Sequence, residues 1–207
     1  MAISFDLFGT LVDAERPDAP WDAVATQLGE RGVAVPDDWE DAYRSTHVTV
    51  ERGRELSLVS HANAALASRG VDADTGTVRA ALLAAFDGPV EVRPGATDAL
   101  ATAEANGPVG LLSNCSLPGL VERTLDSADL PVSFDAVVTS VGCGWRKPHD
   151  EAFGAVADAL GVPLDSLVHV GDDPRTDGGA RTTPATVLLT EDVPLTDVPA
   201  RLEASWE

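Results

Sequence analysis

Short apolar runs that end in polar residues recur along this chain of 207 residues. The first run, Ala2-Ile3-Ser4-Phe5, leads directly into Asp6. Four later runs, at 108–112, 134–138, 167–170 and 185–189, also end in polar residues. Runs of this length and composition are typical of strands that are buried on both faces of a sheet.

Stretches of helical character separate these runs, at about 95–106, 118–128, 150–161 and 177–182. Strands that alternate with helices predict an α/β fold, in which a mostly parallel sheet carries helices on both faces. A carboxylate at the end of such a strand lies where open α/β sheets bind their ligands. This pattern makes Asp6 a candidate site residue.

The alternation of strands and helices is interrupted over residues 14–90. Apolar residues recur there with the spacing of one helix face. The clearest example comprises Trp21, Val24, Ala25 and Leu28. Further helix-like stretches begin at Trp39, Leu56 and Thr75. The pattern predicts an all-helical insertion at 14–90, placed in a core that comprises residues 1–13 and 91–207.

The chain is strongly acidic, with 14 Lys and Arg residues against 34 Asp and Glu and a formal net charge of −20. Repulsion among unpaired carboxylates works against a compact state in dilute buffer. Molar salt removes most of that repulsion, because it shortens the screening length to about 3 Å. We therefore expect a halophilic protein from a salt-adapted cytoplasm.

The same charge balance argues against two classes of partner. No run of basic residues is present to neutralise a nucleic acid backbone or an anionic membrane surface. No apolar run reaches the length of a membrane span, and the first residues lack the pattern of a secretion signal. Cys115 and Cys143 are too few for a disulfide-stabilised secreted fold. We expect a cytoplasmic protein that acts on a small molecule.

Four short segments at strand ends carry the candidate chemistry. They are Asp6-Leu7-Phe8-Gly9-Thr10-Leu11, Ser113-Asn114, Lys147-Pro148, and Gly171-Asp172-Asp173 with Asp177. Parallel strands bring their carboxyl ends to one edge of a sheet, so these segments are expected to converge. In order, spacing and strand context they resemble the four motifs of the haloacid dehalogenase-like hydrolase superfamily. The resemblance covers nearly the whole chain and implies a Rossmann-like core with a helical cap at 14–90.

The resemblance implies a hydrolase that acts through a covalent intermediate. Asp6 would be the nucleophile, and Thr10 would order the turn that follows it. Ser113 and Asn114 would present a hydroxyl and an amide to the transferring group. Lys147 would hold the nucleophile and the phosphoryl oxygens with a compact positive charge. It is the only lysine in a chain with 13 arginines, and it falls at the position of the family's lysine.

The resemblance also implies a Mg²⁺ site. Asp6, Asp172 and the backbone carbonyl of Phe8 would supply oxygen ligands, the donor type that Mg²⁺ prefers. Asp173 could share in this metal site. Asp177 would not bind the metal directly, and it would orient Lys147 or a metal-bound water.

Two features of the motifs favour different activities. Most phosphatases of this family carry a second Asp two residues after the nucleophile as general acid and base, and that position here is Phe8. The family's 2-haloacid dehalogenases carry an aromatic residue there, so Phe8 favours a dehalogenase. Those dehalogenases need no metal, whereas Asp172 and Asp173 favour a metal-dependent enzyme. Arg44 is the nearest candidate for the arginine with which dehalogenases bind a substrate carboxylate.

We give more weight to the several metal ligands than to the single aromatic residue, and we predict a Mg²⁺-dependent phosphatase of small phosphate esters. The alternatives are a 2-haloacid dehalogenase and a weakly catalytic binding or regulatory protein on the same fold. The candidates for an acid that replaces the one missing at Phe8 are Asp13, Asp173, His149 and His47. His169 lies within a predicted strand, where we expect a structural role.

Overall fold

The computed structural model describes residues 1–128, 130 and 134–204. Its strands are β1 (Ala2–Phe5), β2 (Val12–Ala14), β3 (Val90–Val92), β4 (Val109–Ser113), β5 (Ala136–Thr139), β6 (Leu167–Gly171) and β7 (Thr186–Leu189). Five of them form a parallel sheet in the order β5-β4-β1-β6-β7. The predicted α/β class is therefore confirmed, with the first strand at the centre of the sheet.

Helices cover both faces of this sheet. They are α1 (Pro20–Glu30), α2 (Trp39–Arg44), α3 (Leu58–Ala67), α4 (Thr75–Ala85), α5 (Ala96–Asn106), α6 (Leu120–Ala128), α7 (Ser140–Cys143), α8 (Asp150–Ala159) and α9 (Val198–Glu203). Single 3₁₀ segments lie at Leu164–Ser166, Asp177–Thr182 and Leu195–Asp197. Among the described residues, no helix is long and apolar enough to cross a lipid bilayer.

The two faces of the sheet bury separate apolar clusters. Ile3 and Phe5 of β1 belong to the same cluster as Leu100 of α5, while Ala2 packs with Phe153 of α8. Successive side chains of a strand point to opposite faces, so every second residue of β1 faces the same cluster. Full burial of one such large side chain stabilises the fold by about 1.5–3 kcal/mol. This packing holds β1, and the residue that follows it, in a fixed position.

Residues 14–90 carry four helices, α1 to α4, as the periodicity predicts. The ends of this stretch are not helical, because Ala14 and Val90 pair in an antiparallel ribbon of β2 with β3. The expectation of an all-helical insertion is therefore wrong at its ends. Strands of three residues are too short to show an alternating pattern in the sequence. The ribbon joins the helical stretch to the turn that follows β1.

The first and last residues of most strands and helices differ from the sequence prediction by one or two positions. β5 begins at Ala136 instead of residue 134, and α6 begins at Leu120 instead of residue 118. The stretch at 177–182 is a 3₁₀ helix, which suits its two consecutive glycines better than an α-helix does. Residues 129, 131–133 and 205–207, which belong to the predicted core range 91–207, lie outside the described residues.

Candidate active site

The turn after β1 places Asp6 at the carboxyl edge of the sheet. The backbone N–H of Asp6 still donates to the carbonyl of Val170 in β6, at 2.8 Å. Gly9 then takes a φ of +86°, and a Cβ added there would lie 2.6 Å from Oδ2 of Asp172. Glycine is required at this position both for its positive φ and for the space that Asp172 occupies.

Lys147 occupies the centre of the site. Its side chain is 1% exposed, and Nζ lies 2.9 Å from Oδ1 of Asp6 and 2.6 Å from Oδ1 of Asp177. The third donor of the ammonium group reaches the carbonyl of Leu112, at 2.8 Å. Burial alone would lower the pKa of Lys147, but the negative charges of Asp6 and Asp177 outweigh it and raise the pKa. The lysine is therefore a fixed positive charge beside the candidate nucleophile.

Asp177 is fixed from a second side by a buried histidine. His169 Nε2 lies 3.0 Å from Oδ1 of Asp177, and His169 Nδ1 lies 2.8 Å from Oγ of Ser4. Burial lowers the pKa of His169, so the ring is neutral. A carboxylate only accepts hydrogen bonds, so Nε2–H donates to Asp177 and Nδ1 accepts from Ser4. A continuous chain of hydrogen bonds thus leads from the sheet interior through Asp177 to Lys147.

This environment sets the charge state of Asp177. Burial alone would raise its pKa, but the hydrogen bond from His169 and the charge of Lys147 together hold the pKa well below its usual range. The backbone N–H of Asp173 adds a further hydrogen bond to Oδ2, at 3.0 Å. Gly171 leaves room for this side chain, since a Cβ there would overlap Asp177. The carboxylate thus contacts the ammonium group of Lys147 as well as His169 and the backbone of Asp173, and its role in orienting Lys147 stays a prediction.

Asp172 completes a cluster of three carboxylates. Carboxylate oxygens of Asp6, Asp172 and Asp177 lie within 4.8 Å of one another. Oγ1 of Thr10 donates to Oδ1 of Asp172 at 2.9 Å, so the predicted ordering residue acts on this carboxylate. Burial and the neighbouring charge of Asp6 raise the pKa of Asp172 despite that hydrogen bond. The cluster is a donor set that could bind a metal ion.

Ser113 and Asn114 lie beside the nucleophile at the end of β4, with different roles. Oγ of Ser113 is buried and has no hydrogen-bond partner among the described residues. Asn114 donates from Nδ2 to the carbonyl of Lys147 at 2.9 Å and accepts from its N–H at 2.8 Å. The Asn114 side chain therefore binds the backbone of Lys147, while the Ser113 hydroxyl is available to a substrate. An unsatisfied buried hydroxyl costs about 1–3 kcal/mol, which a bound oxyanion would recover.

Other predicted residues lie outside the carboxylate cluster. Both carboxylate oxygens of Asp173 bind the Arg175 side chain, at 3.1 Å each. Asp13 pairs with Arg93 on the ribbon, at 2.8 Å.

The two histidines named as replacement acids are engaged elsewhere. Nε2 of His47 lies 2.7 Å from the carbonyl of Ala42. The His149 ring stacks on Trp145 at 4.0 Å between centroids. Neither histidine lines the cavity that contains Asp6.

Two adjoining cavities open at this edge of the sheet. The polar cavity, of about 240 Å³, contains the predicted site residues Asp6, Phe8, Ser113, Asn114, Lys147, Asp172 and Asp173. The apolar cavity, of about 370 Å³, is lined chiefly by Trp21, Tyr43, Leu58, Phe86, Leu117 and Leu120. Phe8, Arg16 and Asn114 line both cavities. These three residues mark the place where the two cavities adjoin.

Three residues of the polar cavity were not anticipated from the sequence, namely Arg16, Arg146 and Thr176. Arg16 lies over the ring of Phe8, with its Cζ 5.0 Å from the ring centroid. Arg146 pairs with Glu55, whose carboxylate also accepts from Oγ of Ser140 at 2.5 Å. The pattern of the sequence does not distinguish either arginine from the others, because their importance depends on the folded loops. The Glu55 contacts attach the segment between α2 and α3 to the loop that carries Lys147.

Comparison with known proteins gives the family. A family model described as haloacid dehalogenase-like hydrolase matches residues 1–180. The chain is similar in structure to the L-2-haloacid dehalogenase of Xanthobacter autotrophicus, with 24% identity, a TM-score of 0.57, and coverage of 100% of this chain and 83% of that one. No curated protein matches the chain.

Two further structures illustrate the range of the similarity. The phosphate complex of CbbY from Rhodobacter sphaeroides matches with 20% identity, a TM-score of 0.60, and coverage of 91% of this chain and 84% of that one. A family enzyme from Bacteroides thetaiotaomicron, in complex with magnesium and inorganic phosphate, matches with 16% identity, a TM-score of 0.58, and coverage of 91% and 92%. At these identities the similarity shows the fold, while the family model covers most of the sequence. The chain belongs to the haloacid dehalogenase-like hydrolases.

Proposed function

We propose that the protein is a Mg²⁺-dependent phosphatase of small phosphate esters, acting through an aspartyl-phosphate on Asp6. The observation that carries this proposal is the cluster of three carboxylates around a single buried lysine. With Asp6, Asp172 and Asp177 ionised, Lys147 leaves the cluster net negative. An anionic substrate needs a further cation there.

The residues of the polar cavity can perform the transfer in two steps. An oxygen of Asp6 attacks phosphorus, the bond from phosphorus to the ester oxygen breaks, and its electron pair leaves with the alcohol. Lys147 holds Asp6 in place through its contact at 2.9 Å, and the free Ser113 hydroxyl can donate to a phosphoryl oxygen. Water then attacks the phosphorus of the aspartyl-phosphate, which releases inorganic phosphate and restores the carboxylate.

The donor set fits a hard divalent cation. Asp6 and Asp172 would hold it with the backbone carbonyl of Phe8, and Asp177 would remain engaged with Lys147. The raised pKa of Asp172 supports this assignment, because a nearby cation would relieve the repulsion between Asp172 and Asp6. When bound, Mg²⁺ supplies positive charge that offsets the charge of the phosphoryl group. The magnesium and phosphate complex of the Bacteroides relative adds support by analogy.

We also propose that this activity belongs to a cytoplasm with a high salt concentration. The net charge of −20 is the basis for this part of the proposal, because it favours compactness only where salt screens it. The same charge favours a small-molecule substrate over a nucleic acid or a membrane surface.

A 2-haloacid dehalogenase is the second candidate, and Phe8 favours it. A phenyl ring cannot give a proton to a leaving alcohol, whereas halide leaves without one. Phe8 and Asp6 line the same polar cavity, so the ring occupies a position from which no proton can be supplied. Several structurally similar proteins are L-2-haloacid dehalogenases.

A substrate screen of the full chain in molar KCl tests both candidates. Phosphate esters and 2-haloacids are offered with MgCl₂ or with EDTA, and release of phosphate and halide is measured. We expect phosphate release that requires MgCl₂ and is lost in dilute buffer. Asp6→Asn should lower it by about 10⁴-fold or more, the scale seen when a nucleophile is removed.

Asp192→Asn is the matched control for this substitution. Asp192 is an exposed carboxylate that pairs with Arg181 at 3.0 Å and lines neither cavity, so its variant should keep full activity. Halide release in EDTA would establish the dehalogenase instead. Absence of any turnover would favour a binding or regulatory protein on this fold.

A further inference from the structure

Arg16, which has no carboxylate partner among the described residues, lies at the junction of the two cavities. Phe8, Arg16 and Asn114 line both the polar and the apolar cavity. Arg16 has its guanidinium over the Phe8 ring and, in the part of the chain that the structure describes, forms no ion pair with a carboxylate. Since Arg16 lines the cavity of the candidate nucleophile and no carboxylate engages its guanidinium among the described residues, its donors are available to an anion of the substrate.

The other arginines of the two cavities are already engaged. Arg146, in the polar cavity, pairs with Glu55 at 2.8 Å. Arg44, in the apolar cavity, pairs with Glu40 at 2.9 Å. Arg16 is the arginine that lines both cavities, and its guanidinium donates no hydrogen bond within the described part of the chain.

We propose that Arg16 stabilises the departing oxyanion of the substrate, and that the substrates are phosphate esters whose alcohol is apolar and acidic, such as aryl phosphates. This inference rests on the proposed phosphatase function and specifies its substrate class. Arg16 would thus meet the need that a general acid meets in related phosphatases, through charge instead of proton transfer.

The placement of such an ester follows from the two cavities. Its phosphorus must lie against Asp6, beside the free hydroxyl of Ser113. An apolar alcohol portion fits the apolar cavity, whose walls include Trp21, Leu58 and Phe86. The ester oxygen that links the two portions then lies at the junction, next to Arg16. Burial of the alcohol's apolar surface in this cavity contributes to affinity.

The chemistry of the first step suits a cation at that point. When Asp6 bonds to phosphorus, the bond to the ester oxygen breaks and its electron pair stays on that oxygen. Phe8 has no proton to give, so the oxygen leaves as an anion and takes a proton from water afterwards. A guanidinium is not deprotonated in proteins, and its parallel donors stabilise an oxyanion without transferring a proton.

The dependence of kcat/KM on leaving-group acidity tests this role. Wild type, Arg16→Ala and Arg16→Lys are assayed with 4-nitrophenyl phosphate, phenyl phosphate and an alkyl phosphate in molar KCl with MgCl₂. Arg16→Ala should lower kcat/KM for phenyl phosphate by about 100-fold, the effect of losing one oxyanion donor, and much less for the 4-nitrophenyl ester. Arg16→Lys should recover part of the loss. The plot of rate against leaving-group acidity therefore becomes steeper in Arg16→Ala.

Arg31→Ala is the matched control, since it removes the same charge from an exposed site outside both cavities, where Arg31 contacts Gln27. It should leave the steepness unchanged. An equal loss on all three esters in Arg16→Ala, or no loss, would overturn the role of Arg16 and leave the phosphatase proposal standing. Wild type that turns over none of the esters would overturn both. Thermal unfolding of each variant verifies that Arg16→Ala is folded.

Discussion

The two cavities share a wall but are built in different ways. The polar cavity takes its side chains from residues directly after parallel strands, such as Asp6, Asn114 and Asp172. These groups are held by hydrogen bonds and ion pairs of defined length. The apolar cavity takes much of its wall from the helical stretch between β2 and β3, where packing holds residues such as Trp21 and Leu58.

The difference separates the two tasks of the site. Ion pairs at 2.6–2.9 Å around Lys147 fix the positions of reacting groups, and they are the same for every substrate. Apolar packing is not directional and selects a ligand by volume and shape. Substitutions of the charged residues around Lys147 should therefore affect all substrates alike, whereas substitutions in the apolar cavity should distinguish among them. Arg16 lines both cavities, and its substitution should distinguish substrates by their leaving group.

After loss of the nucleophile itself, the largest effect should come from Lys147→Met, which removes the buried lysine from the polar cavity. Turnover should fall by about a thousandfold on every phosphate ester, because the variant loses the charge that holds both Asp6 and the phosphoryl group. It should also lose about 3–5 kcal/mol in free energy of unfolding, because two buried carboxylates lose their partner. Rates with saturating substrate and denaturant unfolding in molar KCl measure the two effects.

Arg175→Met is the control for Lys147→Met. Arg175 is a cation whose side chain is 87% exposed and pairs with Asp173 near the site. Exposed pairs of this kind contribute at most about 1 kcal/mol, so the variant should remain active and stable. A Lys147→Met protein that kept a tenth of the wild-type rate would show that the lysine is not central to the polar cavity.

Much of the polar cavity was predictable because its residues follow buried strands. A parallel sheet brings the carboxyl ends of its strands to one edge, so four short segments could be placed together without knowledge of the loops. The pairing of Lys147 with Asp6 and Asp177 agrees with that expectation. The strand positions could be read because each apolar run is continuous and bounded by polar residues.

The contacts that depend on loop geometry were not predictable. Asp173 directly follows Asp172 in sequence, yet its carboxylate binds Arg175 instead of joining the cluster. His169 was expected to be structural, and its orientation toward Asp177 emerges only when the strand faces are known. Arg16 lies ten residues after the nucleophile, where no periodic pattern applies. Side-chain direction in short loops depends on tertiary packing, which local sequence does not encode.

A smaller effect, on stability with and without MgCl₂, should distinguish the adjacent carboxylates Asp172 and Asp173 of the polar cavity. The pKa of Asp172 is raised, so its ionisation costs stability in the metal-free protein, and this cost is relieved as the pH falls through the raised pKa. Asp172→Asn should therefore raise the unfolding temperature in EDTA at neutral pH. In wild type, MgCl₂ at a hundred times its Kd should raise the free energy of unfolding by about 2.7 kcal/mol. Asp172→Asn should abolish this increase.

Asp173→Asn provides the contrast, since the same change is made one residue away. The hydrogen bonds from Arg175 lower the pKa of Asp173, so its ionised form is favoured in the folded state, and this stability is lost only as the pH falls through the lowered pKa. The variant should gain no stability in EDTA and should keep the response to MgCl₂. Loss of that response in Asp173→Asn would place Asp173 among the metal ligands. Unfolding scans at constant high KCl, with and without MgCl₂, compare the two variants.

The smallest effect should come from the apolar cavity and should depend on the substrate. Leu58→Ala removes part of the wall, and the KM for phenyl phosphate should rise by about tenfold because less apolar surface is buried on binding. The KM for acetyl phosphate, which is too small to fill this cavity, should not change. Leu83→Ala removes the same atoms from a half-buried residue of α4 that lines neither cavity, and it should alter neither KM. Equal changes for both substrates in Leu58→Ala would mean that the alcohol does not enter the apolar cavity, and the placement of the ester oxygen beside Arg16 would lose its basis.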